Sequence, residues 1–119
     1  MARFSTHILS SLDGTHLSDI VVLLIEISRA GERRTIMQER TDKGGRINTE
    51  FKPNVSEGFE HEVIISMPES FGGLDHWPKL RKNTEFSSIS VKVKIENKDG
   101  SYHMPFILSP YGFSGWISR

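Results

Sequence analysis

The fold class is decided by one stretch of sequence, SISVKVKIE at residues 88–96. Its four apolar residues, all Ile or Val, stand at alternate positions between Ser, Lys and Glu side chains. A period of two gives a strand one buried face and one face in water, and β-branched residues favour strands. We therefore predict a β-strand at residues 88–96.

The segment that follows predicts a partner for this strand. Residues 102–108 are again apolar and β-prone, and the intervening NKDG at residues 97–100 has the composition of a turn. We therefore expect the two segments to pair as an antiparallel hairpin. Pro105 lacks an N–H donor, which indicates an edge position or a local bulge there.

Short β-rich runs separated by turn residues continue along the chain. Residues 20–27 are apolar at consecutive positions, which is typical of a strand covered on both faces; the alternative is a buried helical segment, which the β-branched content disfavours. A short helix is predicted only at residues 68–72, where Pro68 would occupy the first turn. Six or more strands at this spacing predict a single all-β domain over residues 1–119, a two-sheet antiparallel β-sandwich with one short helix. The further strands are predicted at residues 4–9, 34–41, 60–66 and 111–117.

Composition excludes several classes of function. The chain has 119 residues, 15 Lys and Arg against 15 Asp and Glu, and no Cys. The balanced charge disfavours nucleic-acid and membrane-surface partners, and the absence of Cys excludes disulfides, a thiol nucleophile and a thiolate metal site. The longest apolar run, residues 20–25, is too short to span a membrane, and no secretory signal precedes it. We expect a cytoplasmic protein, since the Ile-Ser-Arg ending does not resemble a peroxisomal Ser-Lys-Leu address.

Histidines are the main candidates for chemistry, because the sequence contains no HExxH, GxSxG or phosphate-binding glycine motif. His7 and His103 lie within predicted strands, where an imidazole can be held rigidly beside a pocket; the alternative is a surface or hydrogen-bonded core histidine. His16, His61 and His76 lie beside turns or at strand starts, so we expect them to be solvated. A zinc site of three histidines is conceivable, but no pair shows ligand spacing, and no metal is predicted.

Arg46 is a further candidate. It follows Gly44-Gly45, where a guanidinium at the mouth of a strand could bind an anionic or carbonyl-rich ligand through two hydrogen bonds. The alternative is an ordinary exposed arginine in a turn.

Three segments of the chain carry a family resemblance. They are STHIL at residues 5–9, TDKGGRI at residues 41–47 and YHMPFILSPYGFS at residues 102–114. In sequence, order and spacing they resemble the transthyretin and 5-hydroxyisourate hydrolase family, and the last segment is the most specific. The resemblance runs from Phe4 to the end of the chain and is loose over residues 53–87.

The resemblance implies a transthyretin-like β-sandwich that assembles as a homotetramer with ligand sites in a central channel. In the hydrolase branch the site residues correspond to His7, Arg46 and His103, all present here, whereas the carrier branch lacks the histidines. The resemblance thus implies a cofactor-independent hydrolase of urate degradation that opens a ring amide of a small-molecule substrate. We expect His103 to be the general base, Arg46 to stabilise developing negative charge, and His7 to orient water or substrate or to protonate the leaving nitrogen.

The last four residues depart from the hydrolase pattern. Hydrolases of the family end in Tyr-Arg-Gly-Ser, which closes the active site, whereas this chain has Trp116, Ile117, Ser118 and Arg119. These four are expected to bind substrate, and the apolar Ile117 in the arginine position leaves three functions open. They are hydrolysis of 5-hydroxyisourate, action on a different small molecule as a hydrolase, cyclase or isomerase, and transport of a small ligand.

Overall fold

The computed structural model describes residues 1–68 and 86–118, and within them the chain forms nine β-strands. Inside these ranges no helix is long and apolar enough to cross a membrane. The helix predicted at residues 68–72 falls, apart from Pro68, outside the described residues. The strands are β1 (Ala2–Ser10), β2 (Val21–Ile27), β3 (Arg33–Arg40), β4 (Arg46–Phe51), β5 (Glu60–Ser66), β6 (Ser88–Val93), β7 (Ser101–His103), β8 (Phe106–Ser109) and β9 (Gly112–Gly115).

The strands form two sheets, which confirms the predicted all-β, two-sheet architecture. The first sheet has the order β4-β1-β8-β9, with β7 also paired to β1, and the second has the order β3-β2-β5-β6. Most pairs are antiparallel, but β1 runs parallel to β7 and β8. Inward side chains of both sheets meet in one core, whose largest fully buried members include Phe4, Ile8, Leu24, Ile65, Phe106 and Leu108.

The predicted hairpin between residues 88–96 and 102–108 is wrong. Among the described residues β6 pairs with β5, whereas β7 pairs with β1. A turn does form, since the Gly100 N–H donates to the Asn97 carbonyl at 3.1 Å, but it carries the chain from one sheet to the other. The Tyr102 hydroxyl fixes this crossing through hydrogen bonds to the Asn97 backbone, and the Gly100 carbonyl accepts from the Arg3 N–H. Alternation identified the buried faces but not the partner strand.

Pro105 divides the strand predicted at residues 102–108 into β7 and β8. The two pieces keep one register against β1, with Ser101 opposite Arg3 and Phe106 opposite Ile8. The Pro105 carbonyl still accepts from the Trp116 N–H, at 3.3 Å. The chain therefore passes the proline without changing its position beside β1.

Strand β4 was not predicted. It is six residues long, and only Ile47 and Phe51 are buried, so it carries too little apolar alternation to be recognised. Its position is nevertheless important, because β4 begins at Arg46 and lies beside β1.

Candidate active site

The outer face of the first sheet brings two predicted site residues side by side. Along β1, buried residues alternate with Arg3, Ser5 and His7, which are at least partly exposed. The register of the β1–β4 pair places Arg46 directly opposite His7. Residues opposite each other in an antiparallel pair share a face, so the imidazole and the guanidinium occupy the same surface.

His103 joins this surface from the other side of β1. Strand β7 places it opposite Ser5, and the Ser5 Oγ lies 2.8 Å from the His103 Nδ1. Because Nδ1 is occupied by this hydrogen bond, Nε2 is the ring nitrogen that remains for a ligand or a water molecule. The three predicted residues thus come from three adjacent strands onto one face.

The Arg46 side chain is exposed and makes no hydrogen bond or ion pair within the described part of the chain. Its backbone is fixed instead, because Asp42 Oδ1 accepts from the Arg46 N–H and the Gly44 N–H, both at 2.9 Å. Gly45 completes this turn with a φ of +71°, a backbone conformation that favours glycine. The turn therefore presents a guanidinium that is available to an anionic or carbonyl group.

Electrostatics keep His7 neutral. Burial is the largest cause that lowers the pKa of His7, and the positive charges of Arg46, His16 and His103 lower it further. A hydrogen bond to the Gly44 backbone opposes these effects without cancelling them. The pKa of His7 is therefore below its ordinary value, and the neutral imidazole predominates at neutral pH.

His16 is exposed, as expected from the sequence, and it also contacts His7 at this site. The His16 Nδ1 lies 2.8 Å from the His7 Nε2, and the two rings stack with centroids 4.9 Å apart and an interplanar angle of 22°. The Asp13-Gly14 turn returns the chain so that His16 forms a bridge with Leu9. That turn dipeptide was the signal in the sequence that could have indicated this approach.

His61 was also expected to be solvated, and this expectation is wrong. It is 2% exposed, and its Nε2 lies 3.1 Å from the Glu26 Oε2 in the second sheet, away from the candidate site. His76 lies outside the described residues. In the ranges that the structure describes, no group of three or more His, Asp or Glu side chains could hold a metal ion.

The last residues of the chain run beside His103. The Ser118 N–H donates to the His103 carbonyl at 2.8 Å, and Ser118 stands opposite His103. Arg119 lies outside the described residues. Trp116 and Ile117 are exposed and border a different feature, an inter-sheet groove of about 400 Å³ between β6 and β9. Apolar members of the groove lining include Val91, Val93, Met104, Phe106 and Phe113.

This arrangement can activate water. His103 offers a nitrogen that can accept a proton, His7 is a neutral imidazole, and Arg46 is a cation without a partner in the described residues. A base and a fixed positive charge on one surface are the groups needed for attack of water on a carbonyl carbon.

Comparison with known proteins gives the chain a family. A model of the HIUase/Transthyretin family matches residues 4–117. A 5-hydroxyisourate hydrolase from Klebsiella pneumoniae superposes with a TM-score of 0.68 at 24% identity, covering 98% of this chain and 99% of that one. Transthyretin from Sparus aurata gives 0.71 at 16% identity, with coverage of 97% and 95%. An (S)-allantoin synthase gives 0.70 at 20% identity, covering 99% of this chain but 44% of that one. At these identities the three structures show a shared fold.

Proposed function

The chain belongs to the HIUase/transthyretin family, and from this premise we propose that it is a hydrolase that opens 5-hydroxyisourate in urate degradation without a cofactor. One observation carries the proposal: His7, Arg46 and His103 lie on one face of three adjacent strands. A carrier has little need for two imidazoles and an unpaired guanidinium at one position, whereas hydrolysis of a ring amide uses all three.

In the proposed reaction, His103 removes a proton from the attacking water. Its Nε2 faces no partner in the described residues, and the Ser5 hydroxyl holds the ring through Nδ1. The water oxygen forms a bond to a ring carbonyl carbon as its proton moves to His103. Ser5 is therefore a positioning residue for the base.

Arg46 stabilises the oxygen on which negative charge develops. Its guanidinium carries a permanent charge and has no competing partner in the described chain, so its donors are free for the carbonyl oxygen of the substrate. When the ring C–N bond breaks, the leaving nitrogen takes the proton that His103 removed from water. His103 delivers this proton directly, or passes it to His7 as His7 gives up its own ring proton, so both imidazoles end neutral. His7 otherwise orients water or substrate as a neutral donor and acceptor.

We also propose that the protein assembles as a homotetramer through the surface around the end of the chain. Four large apolar side chains are exposed near the end of the chain, and among the described strands β6 and β9 are the edges at that side of the two sheets. Exposed apolar residues beside unpaired strand edges are typical of a surface that is covered in an assembly. The four side chains are Tyr111, Phe113, Trp116 and Ile117.

A second candidate is a family member that acts on a different small molecule. Trp116 and Ile117 border an apolar groove, so the end of the chain supplies apolar surface where the family's hydrolases have an arginine. Because the adjoining Ser118 lies opposite His103, apolar side chains in this segment would suit a larger or more apolar ring than 5-hydroxyisourate. A carrier of small ligands is the third reading, and the retained histidines argue against it.

The test uses 5-hydroxyisourate generated freshly by a urate oxidase, with its ultraviolet decay followed against the spontaneous rate. We expect strong acceleration by the protein, and a loss of about a hundredfold or more in His103→Ala and in Arg46→Ala. Arg40→Ala is the matched control, since the only ion pair of Arg40 among the described residues is an exposed one with Asp19, and its loss should leave the rate unchanged.

Absence of acceleration by the folded protein would reject this substrate and favour the second candidate. If the wild-type protein is active, full activity in His103→Ala would exclude His103 as the base.

A further inference from the structure

Among the described residues, His16 is the histidine near the candidate site that the proposed reaction does not use. From its contact with His7 we infer that His16 is a positioning residue: it donates a hydrogen bond to His7 and thereby sets which ring nitrogen of His7 carries the proton. The role in turnover rests on the proposed function, whereas the state of the His7 ring can be measured without any substrate.

The geometry of the pair supports a directed hydrogen bond. The two nitrogens, His7 Nε2 and His16 Nδ1, are 2.8 Å apart, and one must donate while the other accepts. His7 also makes a hydrogen bond to the Gly44 backbone that favours its protonation, which a carbonyl acceptor explains. Nδ1 is the ring nitrogen of His7 left for that carbonyl. The Nδ1–H of His7 therefore points at Gly44, and its Nε2 accepts from His16.

The position of His16 is fixed by the two turns that meet there. Leu9 bridges to His16, and the Leu17 N–H donates to the Ile8 carbonyl at 2.9 Å. A Cβ placed on Gly45 would lie only 3.3 Å from the Cβ of His16, so the turn that carries Arg46 packs against this loop. Backbone contacts thus hold the His16 backbone beside His7, and the exposed His16 ring stacks on the His7 ring.

The charged groups around His7 favour its neutral form, whose ring proton the hydrogen bond from His16 would place on Nδ1. Arg46 approaches from β4, His103 from β7 and His16 from the loop after β1, and all three disfavour a proton on His7. Asp42, the nearest carboxylate of the adjoining turn, accepts from the Gly44 and Arg46 backbone. One hydrogen-bonded proton therefore lies between the His7 Nε2 and the His16 Nδ1.

The first measurement records the imidazole nitrogens of the full-length protein by two-bond ¹⁵N–¹H NMR across a pH series. We expect His7 to be Nδ1-protonated when neutral. In His16→Leu the donor is lost, so we expect the Nε2-protonated form to appear and the proton affinity of His7 to rise about tenfold. In His16→Asn the side-chain amide can replace the Nδ1–H, so the Nδ1-protonated form of His7 should return.

Turnover gives the second readout. His16→Leu should lower kcat about tenfold with little change in KM, and should move the acid limb of the pH profile upward; His16→Asn should recover most of kcat. An unchanged His7 ring in His16→Leu would overturn the inference whatever the activity. If the wild-type protein leaves 5-hydroxyisourate untouched, the proposed function fails, and the NMR result still decides the role of His16 at His7.

Discussion

At the residue scale, Glu26 shows how the second sheet accommodates a buried charge. Its side chain is 4% exposed, yet both oxygens have donors. Arg34 lies 2.9 Å from Oε1, while the Asn54 N–H and His61 bind Oε2 at 2.7 and 3.1 Å. A buried carboxylate is tolerable when its lone pairs are used in this way. The cluster ties β2, β3 and β5 to the loop that follows β4.

This cluster predicts a dependence of stability on pH. Burial alone would raise the pKa of Glu26, but the hydrogen bonds from Asn54, His61 and Arg34 outweigh it and hold the pKa below its ordinary value of 4.5. A lowered pKa means that the ionised carboxylate stabilises the fold above pH 4.5 and that this contribution is lost as the pH falls through the lowered value. We expect Glu26→Gln to lower the free energy of unfolding by about 2 kcal/mol at pH 7. On acidification, the free energy of unfolding of this variant should fall by less than that of the wild type.

Denaturant unfolding between pH 3 and 7 measures both effects. Glu50→Gln is the matched control, because Glu50 pairs with Arg3 on the exposed surface and should change stability by no more than about 0.5 kcal/mol. Equal acid sensitivity of Glu26→Gln and the wild type would contradict the assignment.

The turn at Gly45 allows a test of whether backbone strain there affects the position of Arg46. An added Cβ would lie 2.6 Å from the Ile8 carbonyl oxygen, and the φ of +71° is strained for any other residue. Gly45→Ala should therefore destabilise the protein by about 2 kcal/mol and reduce activity by displacing Arg46.

Gly44→Ala is the control at the neighbouring position. Its nearest contact would be Asp42 Oδ1 at 3.4 Å, without a positive φ, so we expect a change within about 0.5 kcal/mol. Thermal unfolding and the ultraviolet assay distinguish the two variants, and similar losses in both would show that the tight fit at Gly45 is unimportant.

The sequence indicated some side chains of the site and missed others for a physical reason. His7, His103 and Arg46 were candidates from their places in predicted strands and beside a glycine turn, and the resemblance joined them in one site. His16 was not selected, because the Asp13-Gly14 turn indicates only that the chain reverses, whereas the contact with His7 depends on the stacking of two rings across that turn. His61 was misjudged because no local pattern shows that Glu26, 35 residues earlier, would be its partner.

At the scale of elements, alternation predicted strands well and their partners poorly. Strand β6 was expected from its period of two, and β2 from its consecutive apolar residues, because burial imposes those patterns. Pairing of β7 with β1 rather than β6 depends on contacts 98 residues apart, which no local pattern encodes. Strand β4 was missed because so little of it is buried.

The pairing of Ser118 with β7 predicts that the Ser118 backbone N–H helps to position His103. Ser118→Pro removes the donor to the His103 carbonyl, whereas Ser118→Ala keeps it. We expect the proline variant to lower kcat/KM about tenfold through movement of His103, and the alanine variant to report only on the hydroxyl. Steady-state assays compare them, and a larger loss in Ser118→Ala would instead assign the role to the side chain.

At the scale of the whole molecule, the exposed apolar residues beside β9 predict a dependence of activity on concentration. If the tetramer completes the site, sedimentation should give four times the 13.5 kDa of one chain, and specific activity should fall on dilution as the assembly dissociates. Phe113→Asp should shift this dissociation to higher protein concentration.

Val55→Asp is the matched control, since Val55 is exposed in the loop between β4 and β5, at 38% against 48% for Phe113. It should leave the sedimentation profile unchanged. An active monomer at high dilution would contradict the proposed assembly.

The parallel pairing of β1 with β7 and β8 also has a consequence for biosynthesis. Strand β1 leaves the ribosome before the strands that flank it on one side, which follow 98 residues later. The nascent chain must therefore keep an apolar strand without that neighbour while those residues are synthesised, and contacts between residues so far apart in sequence form slowly. His7 and His103 can meet only after β7 has been synthesised, so a translation product truncated before β7 carries His7 without His103 and an open edge on β1.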